Sequence, residues 1–248
     1  KAIMKVNLMP SPPLYVSVEL GNLAAIRELL TLQADPNSSA VPGLPALGVC
    51  RHPDTVDFML QNGADVNLRP PPAKISPLAL ACSVSVPAEV VTRLLEGRAD
   101  VNDSYGGHSK SALACAAGYS CRATPRTSLA HAKLLLDARA DVNQPGCPTG
   151  LFRMLELGYR LANCCGNSRF RSRYFAESSS TPLGCAAQCG NLPLASFLLA
   201  ARADPDLPNS RAHTPRHLAR ISGNADMLQL FENDKPVIET EQVLVEHF

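Results

Sequence analysis

The chain has 248 residues, 46% of them hydrophobic but only 5% aromatic and none tryptophan, so its core must be built from Leu, Ala and Val. A formal net charge of +1 argues against nonspecific nucleic-acid binding by the whole body and confines any basic function to a local segment. No uncharged apolar run reaches the roughly 18–20 residues that a bilayer span requires, and the longest, 75–88, is broken by Pro77 and Pro87.

Residues 1–12 (KAIMKVNLMPSP) read as an extended lead-in that covers the open end of the first helical unit. A helix is expected over 13–20 and a second over 23–32, where Leu23, Ile26, Leu29 and Leu30 recur at helical spacing. The second runs into LLTLQADPN (29–37), and the chain writes this stretch four more times: MLQNGADVN (59–67), LLEGRADVN (94–102), LLDARADVN (135–143) and LLAARADPD (198–206). The marker residues Asp35, Asp65, Asp100, Asp141 and Asp204 are spaced 30, 35, 41 and 63 residues apart, a unit that grows by insertion.

Within copy two, Val56, Met59 and Leu60 form the apolar stripe of a second helix; in copy three, Val90, Val91, Leu94 and Leu95 do the same. The Pro-rich run 68–74 cannot pair as a regular strand and is expected to stand as a stiff finger. Residues 103–108 (DSYGGH), with Tyr105, read as a flexible finger, and 120–127 as a surface loop. The largest departure is 144–180, far longer than a hairpin: 151–162 (LFRMLELGYRLA) has helical apolar spacing, and RFRSRYF comes after it at 169–175. A closing helix carries Met227, Leu228, Leu230 and Phe231 before an acidic, β-branched tail.

A second motif recurs ahead of the markers, clearest in SPLALA (76–81), TPLGCAA (181–187) and TPRHLA (214–219), with Gly-Asn steps at 21–22, 190–191 and 223–224. Ser or Thr before Pro opens a helix, since the hydroxyl caps free amides and Pro at the first position loses no hydrogen bond. The two motifs in register resemble the ankyrin-repeat family over about 11–232. The resemblance implies an all-α solenoid of about six helix-turn-helix repeats, with short hairpin-like fingers and one long insertion. It divides the chain into a repeat domain, 1–232, with insertion 144–180, and a C-terminal tail, 233–248. Where the family places Gly before Ala-Asp, only Gly63 complies; Gln33, Arg98, Arg139 and Arg202 fill the slot, at about 1 kcal/mol each if the backbone there is left-handed. The starts of copies two (Pro42-Gly43-Leu44) and four (Ser111-Ala112-Leu113) depart from the pattern.

No GxSxG, HExxH, GxxxxGK or GxGxxG motif occurs, so no catalytic residue and no cofactor site is assigned. Cys147, Cys164, Cys165, Cys185 and Cys189 form none of the CxxC pairs of structural zinc, and no metal is expected. An odd count of nine cysteines and the repeat type point to an intracellular, reducing compartment. The cytoplasm comes first, with an organelle open because the chain begins at Lys1. The expected function is a noncatalytic protein-interaction scaffold or accessory subunit. The alternative is a targeting or regulatory module of an enzyme whose catalytic domain lies outside this chain.

By resemblance, partners bind at the finger tips and on the concave face of the first helices. The concave pairs are Glu19 and Leu20, Val49 and Cys50, Ser83 and Val84, Gly118 and Tyr119, Gln188 and Cys189, and Ile221 and Ser222, an apolar strip that is either a binding face or covered by the chain's own loops. In RFRSRYF an extended backbone sets Arg169, Arg171 and Arg173 on one face and Phe170, Ser172 and Tyr174 on the other. Such a ribbon would grip an acidic protein or phosphates, or stand as a solvated loop. The partner-binding set is therefore Leu20, Val84, Tyr119, Tyr105, Arg169, Phe170, Arg171, Arg173 and Tyr174. The partner expected is a protein within a multisubunit assembly, with peripheral contact to a membrane complex left open and nucleic acid disfavoured.

Overall fold

The computed structural model describes residues 12–40, 43–71, 73–84, 86–103, 111–118, 125–146 and 180–233. Among them the chain is helical, with one minimal hairpin. The helices are α1 (Pro13–Glu19), α2 (Leu23–Thr31), α3 (Pro53–Gln61), α4 (Pro77–Val84), α5 (Ala88–Glu96), α6 (Ala112–Gly118), α7 (Pro125–Asp137), α8 (Pro182–Cys189), α9 (Leu192–Ala200), α10 (Pro215–Ser222) and α11 (Ala225–Asn233). Strands β1 (Ser39–Ala40) and β2 (Leu44–Pro45) pair antiparallel, and a 3-10 turn, Ala46–Val49, precedes α3.

The sequence explains most of these boundaries. Ser76, Ser111, Thr181 and Thr214 each accept, through the side-chain oxygen, the backbone N–H three residues on, at 3.4, 3.2, 3.1 and 3.2 Å, so a hydroxyl opens α4, α6, α8 and α10. Ser111 shows that copy four starts like the others despite lacking Pro. Copy two differs: the first helix expected there shrinks to the 3-10 turn. Pro45 lies inside what would be its first turn, has no N–H, and disfavours helical backbone at Leu44. The Gly-Asn steps do what their composition implies. Gly21, Gly190 and Gly223 turn left-handed, with φ of 68°, 72° and 70°, and Asn22, Asn191 and Asn224 each cap the next helix.

Two layers result. The first helices pack side by side in the order α1, the 3-10 turn, α4, α6, α8, α10; behind them run α3, α5, α7, α9, α11, each packed on the next. The same slot after the helix opening holds Leu78, Leu113, Leu183 and Leu218, all at most 1% exposed. Each such burial contributes about 1.5–3 kcal/mol relative to exposure. Ala81, Ala116, Ala186 and Ala219 keep the first layer close-packed. Ile26, Met59, Leu94, Leu135, Leu198 and Met227 fill the space beneath the second layer, each 0% exposed. Close approach is tightest at glycine: a Cβ on Gly48 would sit 2.9 Å from Leu80 Cβ, and one on Gly118 2.7 Å from Cys185 Cβ.

Cation–π contacts tie the outer layer: Arg27 lies over Phe58 (5.0 Å) and Lys133 over Phe197 (5.9 Å). At the last pair, Arg216 bonds Asp206 at 2.9 Å, donates to the carbonyl of Phe231 and covers that ring, joining finger, first helix and second helix.

Candidate binding surfaces

The markers build a ladder along one edge of the stack. Each Asp folds its own turn: Asp35, Asp65, Asp100 and Asp141 accept, through Oδ1, the backbone N–H of Asn37, Asn67, Asn102 and Asn143 at 2.8–3.0 Å. Each Asn then reaches forward. Asn37, Asn67, Asn102 and Asn143 Oδ1 accept the backbone N–H of Asp65, Asp100, Asp141 and Asp204 at 2.8, 2.8, 2.8 and 2.7 Å. The amides of Asn37, Asn67 and Asn102 donate in turn to the carbonyls of Gly63, Arg98 and Arg139. These asparagines escaped the sequence reading, although their position two residues after each Asp was visible; the last copy has Asp206 there instead.

The residue before Ala-Asp is left-handed in every copy: φ is 60° at Gln33, 88° at Gly63, 66° at Arg98, 67° at Arg139 and 66° at Arg202. The arginines therefore occupy a glycine conformation. Their side chains are exposed, and among the described residues none has a salt-bridge partner. Further ties cross between fingers. Arg69 meets the buried Asp103 at 2.9 Å, and Gln144 donates to the carbonyl of Asn102 at 2.6 Å. Pro70 and Pro71, expected in a stiff finger, instead lie back on the preceding hairpin, where a Cβ on Gly43 would sit 2.6 Å from the Pro70 carbonyl oxygen.

The expected concave strip is discontinuous among the described residues. Leu20, at the end of α1, is 75% exposed, Ile221 is 45% exposed, and Val84 at the end of α4 is half-buried. Val49 and Cys50 are buried instead, because the shortened 3-10 turn tucks between α1 and α4; Gln188 is buried too. Tyr105, Tyr119, Arg169, Phe170, Arg171, Arg173 and Tyr174 lie outside the described residues, as do the helix expected at 151–162 and the tail. What is described is the base of the insertion: Gly146 N–H donates to Ser180 O at 3.5 Å, and the buried Ser180 hydroxyl accepts from Asn209 Nδ2 at 3.1 Å. Helix α6 packs directly on α8, and α7 on α9.

Buried titratable groups serve packing. Burial pushes the Cys50 thiol up to about 12 and raises Cys82 further, with Cys115 adding to the rise, so both stay protonated at neutral pH. His131, 1% exposed, contacts the Val86 carbonyl through Nε2 at 2.8 Å, and burial lowers its pKa. Among the described residues no cluster of His, Cys, Asp and Glu could hold a metal, and no helix is long and apolar enough to cross a membrane.

The ankyrin repeat family model matches residues 179–210, which comprise α8, α9 and the marker turn after them. No curated protein matches the chain. The ankyrin repeat is a protein–protein interaction module, and its match to a segment whose motifs recur on both sides supports the chain as an ankyrin-repeat protein.

Proposed function

We propose that the chain is a noncatalytic protein-binding scaffold, an accessory subunit of a larger assembly, built as a solenoid of six ankyrin repeats over 1–232 with a tail at 233–248. The observation that carries this reading is the Asn-to-Asp ladder, which runs from Asn37 to Asp204 and passes the long insertion. Such a ladder fixes successive repeats in register and so makes one rigid surface from units that touch only their neighbours.

The binding surface comprises Leu20, Val84 and Tyr119 on the first-helix side, Tyr105 on a finger, and Arg169, Phe170, Arg171, Arg173 and Tyr174 in the insertion. A leucine 75% exposed at a helix end, as Leu20 is, is available to a partner without any rearrangement of the core. The insertion supplies Arg forks that pair with carboxylates in two-point geometry. Its base supports the same reading, since Gly146 and Ser180 meet while α6 stays packed on α8, so a long segment between them is tolerated at a small closure cost.

Pull-down with cross-linking mass spectrometry identifies the partner and the contacted residues. Leu20→Asp and Val84→Asp are expected to weaken its capture at least tenfold. Replacing 147–179 by a short Gly-Ser link should leave the melting temperature nearly unchanged and reduce affinity. Undiminished capture by the Asp variants would remove the first-helix side from the site, and undiminished affinity after the deletion would make the insertion a tolerated loop.

A further inference from the structure

Arg98, Arg139 and Arg202 stand at one equivalent position in successive marker turns, each left-handed, exposed and without a salt-bridge partner among the described residues. Gly63 occupies the same slot without penalty, whereas an L residue there costs about 1 kcal/mol. A side chain kept against its backbone preference at three such points directs attention to what the side chain does.

The ladder sets their spacing. Asn67 Nδ2 donates to the Arg98 carbonyl at 3.2 Å and Asn102 Nδ2 to that of Arg139 at 3.3 Å, while Asn143 holds the N–H of Asp204, two residues past Arg202, at 2.7 Å. The three guanidinium stems therefore begin one packed-helix distance apart, about 10 Å. Beside them runs a parallel row of exposed carboxylates, Asp100, Asp141 and Asp204. That row would repel a uniform polyanion, and a net charge of +1 provides no long-range attraction for one.

We propose that this edge docks an α-helix of a partner protein, laid along the stack, which presents a carboxylate at every seventh residue to Arg98, Arg139 and Arg202 and a basic residue beside each toward the Asp row. Seven helical residues advance about 10.5 Å and return nearly to the same face. An extended strand covers that distance in three residues but then presents the opposite face. Arg receives a carboxylate through two parallel hydrogen bonds. The inference rests on the protein-binding reading and places a defined chemistry at an edge distinct from Leu20 and Val84.

The test titrates the full chain, 15N-labelled at arginine, with two synthetic helical peptides of the same composition. One carries Glu at every seventh residue with flanking Lys; the other has Glu at every fifth, which scatters the carboxylates around the helix. Inorganic polyphosphate is the third probe. The heptad peptide is expected to move three arginine Nε–H signals and to bind at least fivefold tighter than the permuted one. The triple variant Arg98→Gly, Arg139→Gly, Arg202→Gly should lose that binding at least tenfold while its melting temperature holds or rises, because Gly fits the left-handed slot. Equal binding of the two peptides, preference for polyphosphate, or heptad binding retained by the triple variant overturns the proposal. If the heptad peptide fails while Leu20→Asp still weakens partner capture, this inference falls and the protein-binding reading stands.

Discussion

Asn143 Oδ1 accepts the backbone N–H of Asp204 at 2.7 Å although 61 residues separate them, the same bond that Asn102 makes to Asp141 across 39. The ladder continues across residues 147–179 without losing a rung. Closure entropy grows only logarithmically with loop length, about 0.6 kcal/mol per doubling, so one hydrogen-bonded rung and two helix contacts suffice to restore the register.

Removing that rung should be measurable. Asn143→Ala leaves the Asp204 N–H without its partner and is expected to lower unfolding free energy by about 1 kcal/mol, read from urea midpoints at constant slope. Asn143→Asp keeps an acceptor and should lose less. An unchanged midpoint for Asn143→Ala would mean that water replaces the rung at no cost.

The left-handed slot makes opposite predictions for two neighbouring repeats. Gly63→Ala introduces a Cβ that meets nothing within 4 Å, so its effect isolates the backbone cost at φ 88° and should destabilise by about 1 kcal/mol. Gln33→Gly, at φ 60°, should stabilise by somewhat less, since Gly also gains freedom in the unfolded chain. Thermal denaturation of both variants checks the signs.

Gly118 is a packing requirement. Its ideal Cβ would lie 2.7 Å from Cys185 Cβ, on the helix that resumes the stack after the insertion. Gly118→Val is expected to cost about 1–3 kcal/mol by forcing α6 from α8. Adding Cys185→Gly should recover part of this, and a double-mutant cycle reads the coupling.

His131 gives the stack a pH dependence of definite sign. Burial lowers its folded pKa below the ordinary 6.5, opposed in part by the bond to the Val86 carbonyl. The unfolded chain therefore takes up a proton that the native chain refuses. Stability from this group is present above about pH 6.5 and is lost as pH falls from there through the folded value. His213 shifts in the same direction, through its own burial and then the nearby His217 and Arg211. Urea unfolding at pH 7.5 and 5.5 should show lower stability at the acid value, and His131→Gln should flatten the slope without abolishing it.

Most helix openings and turns, and the Leu and Ala positions that form the core between the helices, were legible in the linear pattern. Those features are local: a hydroxyl before a helix, a Gly-Asn step, and Leu or Ala at fixed offsets act within a few residues, so a linear pattern records them. Even the failed first helix of copy two was written in Pro45. Tertiary structure decided what depends on partners far apart in the chain. Asn37, Asn67, Asn102 and Asn143 look like turn residues until the next finger is placed beside them. Val49, Cys50 and Gln188 occupy positions that resemblance assigns to an open face, yet neighbouring elements bury them. The arginines of the marker turns read as departures from a glycine rule, and only the stacking of one repeat on the next makes them a row, because spacing across a stack is set by helix packing and not by residue count.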